Sequence, residues 1–219
     1  GAMQFNNSLI DDYILQKSDG FPTYHLASVI DDHLMEISHV IRGEEWLPSV
    51  PIHIMLYKAF AWEYPFFAHL PNILGADKKK LSKRTGDVAV GQYIEKGYLP
   101  EAIINFILLL GWNPGTDKEF FTLKEMVQEF SLEKVGKSGA FFDLVKLDWT
   151  NGNYIRKIEL GKLTEMCVPY LIKAGFLFLP LLGGVRGGSF RITKTNEIIN
   201  FDWLKKVVAL EQERMKKLS

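Results

Sequence analysis

Between Ile37 and Leu74 the chain reads as strand, helix, strand. Ile37 to Ile41 is a buried apolar strand. Ser49 is a fair N-cap with Pro51 in the first helical turn, and Ile52, Met55, Leu56, Ala59 and Phe60 supply an apolar stripe at helical spacing. Phe66 to Leu74 is the next strand. Apolar strands joined through a helix belong to a parallel sheet, where ligands sit beyond the carboxyl ends of the strands. Arg42 falls at one such end, with Gly43, Glu44, Glu45 and Trp46 behind it. Lys78 to Arg84 falls beyond the other.

That second stretch, Lys78-Lys79-Lys80-Leu81-Ser82-Lys83-Arg84, holds six side-chain donors, five of them cationic. Gly75-Ala76-Asp77 precedes it and Thr85-Gly86-Asp87 follows, so both flanks carry turn chemistry. A mobile basic loop suits a polyphosphate, whose developing charge its ammonium groups can meet. A solvated basic loop is the competing reading.

Upstream, Tyr13 to Gln16 reads as a short strand closed by the turn Lys17 to Gly20. A second extended run goes from Pro22 through Val29 and Ile30, and Asp31-Asp32 opens a short segment to Glu36. After Gly86 the pattern turns helical. Helices are expected over Val88 to Lys96, from Pro100 through the all-apolar Ala102 to Leu110, and from the capping pair Thr122 and Glu125 to Phe130. A short one starts at Ser131. Phe142 to Trp149 continues after a bend as Thr150 to Lys157. Leu160 to Ala174 and Asn200 to Lys217 complete the set, and the Gly-rich stretch from Phe176 to Ile192 takes no assignment.

Positive and negative side chains balance at 26 each, so no overall basic field advertises a nucleic-acid partner, although a neutral protein can carry a basic face. The single cysteine, Cys167, excludes an internal disulfide and a multi-cysteine zinc site. No apolar run approaches the ~20 residues of a membrane span. The expected setting is reducing and cytoplasmic. Gly1-Ala2-Met3 reads as a cloning scar, and a start in mid-pattern suggests an engineered fragment.

Several stretches together carry a resemblance. They are Ser18-Asp19-Gly20-Phe21-Pro22-Thr23-Tyr24-His25-Leu26-Ala27, Val29-Ile30-Asp31-Asp32-His33 and His39-Val40-Ile41-Arg42-Gly43-Glu44-Glu45-Trp46-Leu47. With them stand Lys80-Leu81-Ser82-Lys83-Arg84, Gly97-Tyr98-Leu99-Pro100-Glu101-Ala102, Leu110-Gly111-Trp112, Phe142-Asp143-Leu144 and Lys146-Leu147-Asp148-Trp149. In order and spacing the set resembles bacterial-type glutamyl-tRNA synthetase, a class I aminoacyl-tRNA synthetase. Matches are dense from about Phe5 to Tyr154 and looser beyond, where Gln212-Glu213-Arg214 is typical of the first anticodon-binding helices.

The resemblance implies an α/β fold, the second half of a class I Rossmann-like catalytic domain, followed by all-α stem-contact and anticodon-binding helices. The implied boundaries are 4–87 for the catalytic part, 88–158 for the stem-contact part and 159–219 for the start of the anticodon-binding part. It implies two steps: glutamate and ATP give glutamyl-adenylate and pyrophosphate, then the glutamyl group passes to the tRNA 3′ end. ATP comes with Mg²⁺ as substrate, no metal is bound by this part, and the intact enzyme is a monomer. The lysine stretch takes the place of the KMSKS signature, with Leu81 and Arg84 as the departures. No HIGH-type motif accompanies it: His25, His33, His39, His53 and His69 all lack that context. The zinc-bearing insertion of some members is also not represented. This chain alone is therefore expected not to form the adenylate.

By the same resemblance Arg42, Tyr24 and Ser28 hold the substrate glutamate. An arginine fork matches a carboxylate bidentately, whereas an ion pair of Arg42 with Asp31, Asp32 or Glu44 and a core role for Tyr24 compete. Glu45, backbone groups of Ile73 and Leu74, and Lys80, Ser82, Lys83 and Arg84 fall to ATP, with Lys80 and Lys83 as the catalytic pair. Trp46 lines the same site or simply packs. Lys134, Lys137, Arg156 and Lys157 are candidate tRNA phosphate contacts, against a solvated face for each. A noncatalytic RNA-binding module using only the helices is the alternative function; a small tRNA-base-modifying paralogue lacks the helices after Gly111.

Overall fold

A computed structural model of the chain describes residues 3–75, 77–82, 89–178 and 184–219, in two compact units, Gly1–Asn72 and Ile73–Ser219. In the first unit β1 (His39–Gly43), α2 (Val50–Ala59) and β2 (Phe66–Leu70) form the expected parallel unit, in register His39 to Phe66 through Gly43 to Leu70. Ser49 occupies the N-cap position of α2 without a capping bond; its hydroxyl donates to the Trp46 carbonyl at 2.7 Å and closes the 3-10 turn Glu44–Ser49 instead. Val29, Ile52, Leu56 and Tyr57 make the core, with Leu15, Trp62 and Phe67 against it.

Tyr24 to Leu34 is a helix, α1, and not the extended run and short segment expected. Leu26, Val29 and Ile30 sit at i, i+3 and i+4, so the helical period outweighs the strand preference of two adjacent β-branched residues. The Tyr13 to Gln16 strand is reduced to one bridge, Gln16 to Pro22. Phe66 to Leu74 is two strands. Pro71 cannot donate to a ladder, so β2 ends at Leu70 and β3 (Ile73–Leu74) begins a new parallel pair with β4 (Ala140–Phe141) in the second unit.

The second unit is mainly helical: α3 (Val90–Glu95), α4 (Pro100–Gly111), α5 (Leu123–Glu129), α6 (Leu144–Arg156), α7 (Leu160–Lys173), the four-residue turn α8 (Gly184–Gly187) and α9 (Phe201–Glu211). Thr122 and Glu125 form the expected capping box on α5. Helix α6 runs unbroken where a bend was expected. Asp143 caps it through the N–H groups of Val145 and Lys146, and Thr150 returns its hydroxyl to the Lys146 carbonyl at 2.8 Å, inside the helix. Helix α4 buries Ala102, Ile103, Asn105 and Phe106 but exposes Ile104 and Ile107, so its apolar composition marks one buried face and not a central position. The unassigned stretch contributes β5 (Ser189–Arg191), antiparallel to β6 (Ile198–Asn200). Asn200 then caps α9, which ends at Glu211, short of Lys217.

Polar groups inside this unit tie distant segments. Asn151, fully buried, accepts from the Leu99 N–H at 2.8 Å and donates to the Lys216 carbonyl at 2.6 Å. Gln212 donates to the Ile155 and Ile158 carbonyls at 3.2 and 3.0 Å and so caps the end of α6. Among the described residues no helix is long and apolar enough to cross a membrane.

Candidate functional site

Arg42 is the penultimate residue of β1, where the parallel unit opens at the carboxyl ends of its strands. Its guanidinium lies 5.6 Å from the centre of the Phe67 ring, and Nε, Nη1 and Nη2 are all buried with no hydrogen-bond partner among the described residues. The ion pairs that competed for it do not form. Glu44 accepts instead from the backbone and side-chain nitrogens of Asn72, at 3.3 and 2.8 Å, and Asp32 accepts from Ser28 at 3.5 Å. Burying a cation is unfavourable unless something pairs it. A fork left open in this way is suited to a carboxylate brought in from outside.

The groups around Arg42 leave it as the cation of the cluster. Burial, then the Arg42 charge, then His25, push His53 down to about 4, so it is neutral near pH 7. His69, paired with Arg42 across the strands, is lowered by burial and then by Arg42. Burial raises Asp32, against the lowering effect of Ser28 and Arg42. Tyr57 and His69 each bury a polar atom, Oη and Nε2, that has no hydrogen-bond partner among the described residues. Residue-by-residue reading missed His53, Tyr57 and His69. The available signal was the i, i+4 spacing of His53 and Tyr57 on α2 and the strand pairing of His69 with Arg42.

Tyr24 and Ser28 stand one turn apart on α1. The Tyr24 ring is 48% exposed and packs against Trp46 with centroids 4.8 Å apart. His25 Nδ1 lies 3.0 Å from His53 Nε2. Glu45 is exposed beside Gly43, with its carboxylate over the glycine's Cα.

In the second unit, β3 doubles back on the lysine stretch. The Leu81 N–H donates to the Ile73 carbonyl at 2.8 Å, and the Gly75 N–H to the Lys79 carbonyl at 2.8 Å, around an antiparallel bridge between Leu74 and Lys80. Asp77 accepts from the Lys79 N–H, and Lys78 takes a positive φ of 59°. The Leu74 carbonyl accepts from Phe142, so the carbonyls of Ile73 and Leu74 are both engaged in backbone pairing. Lys80 and Ser82 are described; Lys83 and Arg84 lie outside the described residues. Tyr24, Ser28, Arg42 and Glu45 therefore belong to the first unit and the lysine stretch to the second.

Two candidate tRNA contacts have structural partners. Lys134 donates to the Pro114 carbonyl at 3.2 Å and Arg156 to the Glu213 carbonyl at 3.4 Å. Lys157 stands 5.0 Å over the Phe120 ring, and Lys137 is exposed. Cys167 is buried in the α7 core and burial pushes its thiol up to about 11, a packing environment. No group of three or more His, Cys, Asp or Glu able to hold a metal occurs among the described residues.

Comparison with known proteins adds an independent finding. Residues 1–149 match the family model described as tRNA synthetases class I (E and Q), catalytic domain. A glutamate–tRNA ligase of Alkaliphilus metalliredigens is 48% identical over 215 residues, 98% of this chain and 41% of the relative. One of Prosthecochloris aestuarii is 56% identical over 175 residues, 79% of this chain and 35% of the relative. Among solved structures, a glutamate tRNA ligase of Elizabethkingia meningosepticum, in complex with its amino acid, superposes with a TM-score of 0.78 at 37% identity, over 98% of this chain and 42% of that one. The chain thus spans about two fifths of the length of the relatives it matches, 41% for the first of them.

Proposed function

Since the chain belongs to the family of class I tRNA synthetases (E and Q), of which it carries catalytic-domain sequence, we propose that it supplies the glutamate pocket and part of the ATP site of a glutamate–tRNA ligase. The observation that carries the reading is the Arg42 guanidinium, buried at a strand's carboxyl end with none of its three nitrogens partnered among the described residues. In the intact enzyme it receives the side-chain carboxylate of glutamate, with Tyr24 and Ser28 beside it. The substrate's α-carboxylate oxygen attacks the α-phosphorus of ATP, and the bond from that phosphorus to the bridging oxygen breaks. Pyrophosphate then leaves with its Mg²⁺. Lys80 and Lys83 meet the charge that builds on the leaving group. Ser82, Arg84, Glu45 and the backbone of Ile73 and Leu74 hold the nucleotide. A terminal hydroxyl of the tRNA takes the glutamyl group and AMP departs, while Lys134, Lys137, Arg156 and Lys157 face tRNA phosphates. The same reading sets a monomeric enzyme in the cytoplasm.

The test is glutamate-dependent exchange of pyrophosphate into ATP. It is measured with this chain alone, and with a chimera in which the chain replaces the matching part of the Alkaliphilus relative. Exchange in the chimera, lost on Arg42→Ala, is expected. An active chimera indifferent to Arg42→Ala overturns the glutamate pocket built on Arg42, and an inactive chimera with RNA binding retained overturns the reading in favour of a noncatalytic helical module.

A further inference from the structure

His53 is almost wholly enclosed, 1% exposed, on the face of α2 that packs against α1. Its Nε2 lies 3.0 Å from Nδ1 of His25, so one ring donates and the other accepts a single proton. His25 is in the first turn of α1, immediately after Tyr24. The Tyr24 ring is bounded by His25, edge-on at 5.6 Å and 71°, by Trp46 at 4.8 Å, and by His53 at 6.2 Å. Tyr13 stands edge-on against the outer side of His25 at 5.4 Å and 81°. No other described polar contact holds Tyr24 in place, and nearly half of its surface is open. The tyrosine's direction is thus set by the ring beside it, and that ring is set by a hydrogen bond to the enclosed histidine.

We propose that His53 is a positioning residue for the amino-acid site: through its hydrogen bond to His25 it fixes the Tyr24 ring as the wall against which the substrate amino acid is oriented. The inference rests on the glutamate-pocket reading above. A protonated pair could not share this bond, because both facing nitrogens would then donate. The bond therefore needs at least one of the two rings uncharged, and the enclosed His53, held well below its ordinary pKa, is that ring. The arrangement orients Tyr24 without placing a second cation near Arg42.

The experiment uses the active chimera, with Km and kcat for glutamate and Km for ATP measured in the exchange assay. His53→Leu keeps bulk and removes the bond. His53→Gln returns an amide near the position of Nε2 and can restore it. We expect His53→Leu to raise the glutamate Km about tenfold, the loss of one oriented hydrogen bond, with kcat and the ATP Km within about twofold of the parent. His53→Gln should recover most of the loss. Should His53→Leu fail to fold, His25→Leu removes the same bond from the more accessible side, with His25→Asn as the matching rescue. Equal effects of the Leu and Gln variants, or a fall in kcat with unchanged Km, overturn the positioning role. They leave the pocket reading intact provided Arg42→Ala still raises the glutamate Km. An Arg42→Ala variant with unchanged Km overturns both.

Discussion

Arg42 and His69 face one another in the register of β1 and β2, and neither the three guanidinium nitrogens nor His69 Nε2 has a hydrogen-bond partner among the described residues. Placing an open cation next to an open imidazole works against the stability of the fold. Arg42→Met keeps an unbranched chain near the Phe67 ring and removes the charge. We expect it to stabilise the chain by about 1–3 kcal/mol in urea unfolding, while glutamate-dependent exchange in the chimera falls at least about a hundredfold. A lower unfolding midpoint would make Arg42 a structural residue.

Asn151 joins α6 to the residue before α4 and to the carboxyl-terminal tail with no exposure to solvent. Removing its amide leaves the Leu99 N–H and the Lys216 carbonyl without partners. Asn151→Ala should cost about 2–4 kcal/mol in urea unfolding, two unmet buried groups at the usual penalty. The amides of Leu99 and Leu218 should exchange faster with deuterium. Unchanged protection at both would show that water replaces the side chain.

Two glycines separate backbone strain from crowding. Gly97 has φ +83°, and a Cβ there would lie 2.6 Å from the backbone nitrogens of Leu218 and Ser219; Gly175 has φ +75° and, among the described residues, nothing within 4 Å of such a Cβ. Gly175→Ala should cost about 1–2 kcal/mol, the left-handed strain alone. Gly97→Ala should cost clearly more and release the tail, visible as faster exchange at Leu218. Equal losses would mean that the tail yields freely.

The parallel unit was legible because apolar strands, a helix opening on Ser49 and Pro51, and a fork at a strand end are local patterns. Helix α1 differs from the expectation because the adjacent pair Val29 and Ile30 carries strand preference, while the i, i+3, i+4 spacing of Leu26, Val29 and Ile30, used in packing α1 on α2, decides for the helix. The break after Leu70 could have been read from Pro71. The place of Arg42 at a strand's carboxyl end was legible, but its isolation was not: the acids nearby in sequence turn to Asn72 and Ser28. The bond between His25 and His53 spans 28 residues and depends on two helices meeting, so no spacing rule announces it. Asn151 and Gln212 likewise act on backbone far away in the chain.

His53 gives the fold a pH dependence of known sign. Its folded pKa, about 4, is below the ordinary 6.5, chiefly through burial and then through Arg42 and His25. Between those values the unfolded chain binds the proton more readily than the folded one. The stabilising contribution is therefore complete above pH 6.5 and drains away as pH falls toward 4, by about 3 kcal/mol across the window. Burial raises Asp32 and so acts in the opposite direction over part of the same range, and His69 acts in the same direction as His53. Both remain in His53→Gln, so the difference between the parent chain and this variant isolates the one imidazole. Urea unfolding of the two at pH 7, 5.5 and 4 should show the parent losing its advantage as the pH drops, with most of the change below pH 6.5. Parallel curves would mean that His53 takes up its proton in the folded chain as easily as in the unfolded one, and would overturn the effect of its burial beside Arg42.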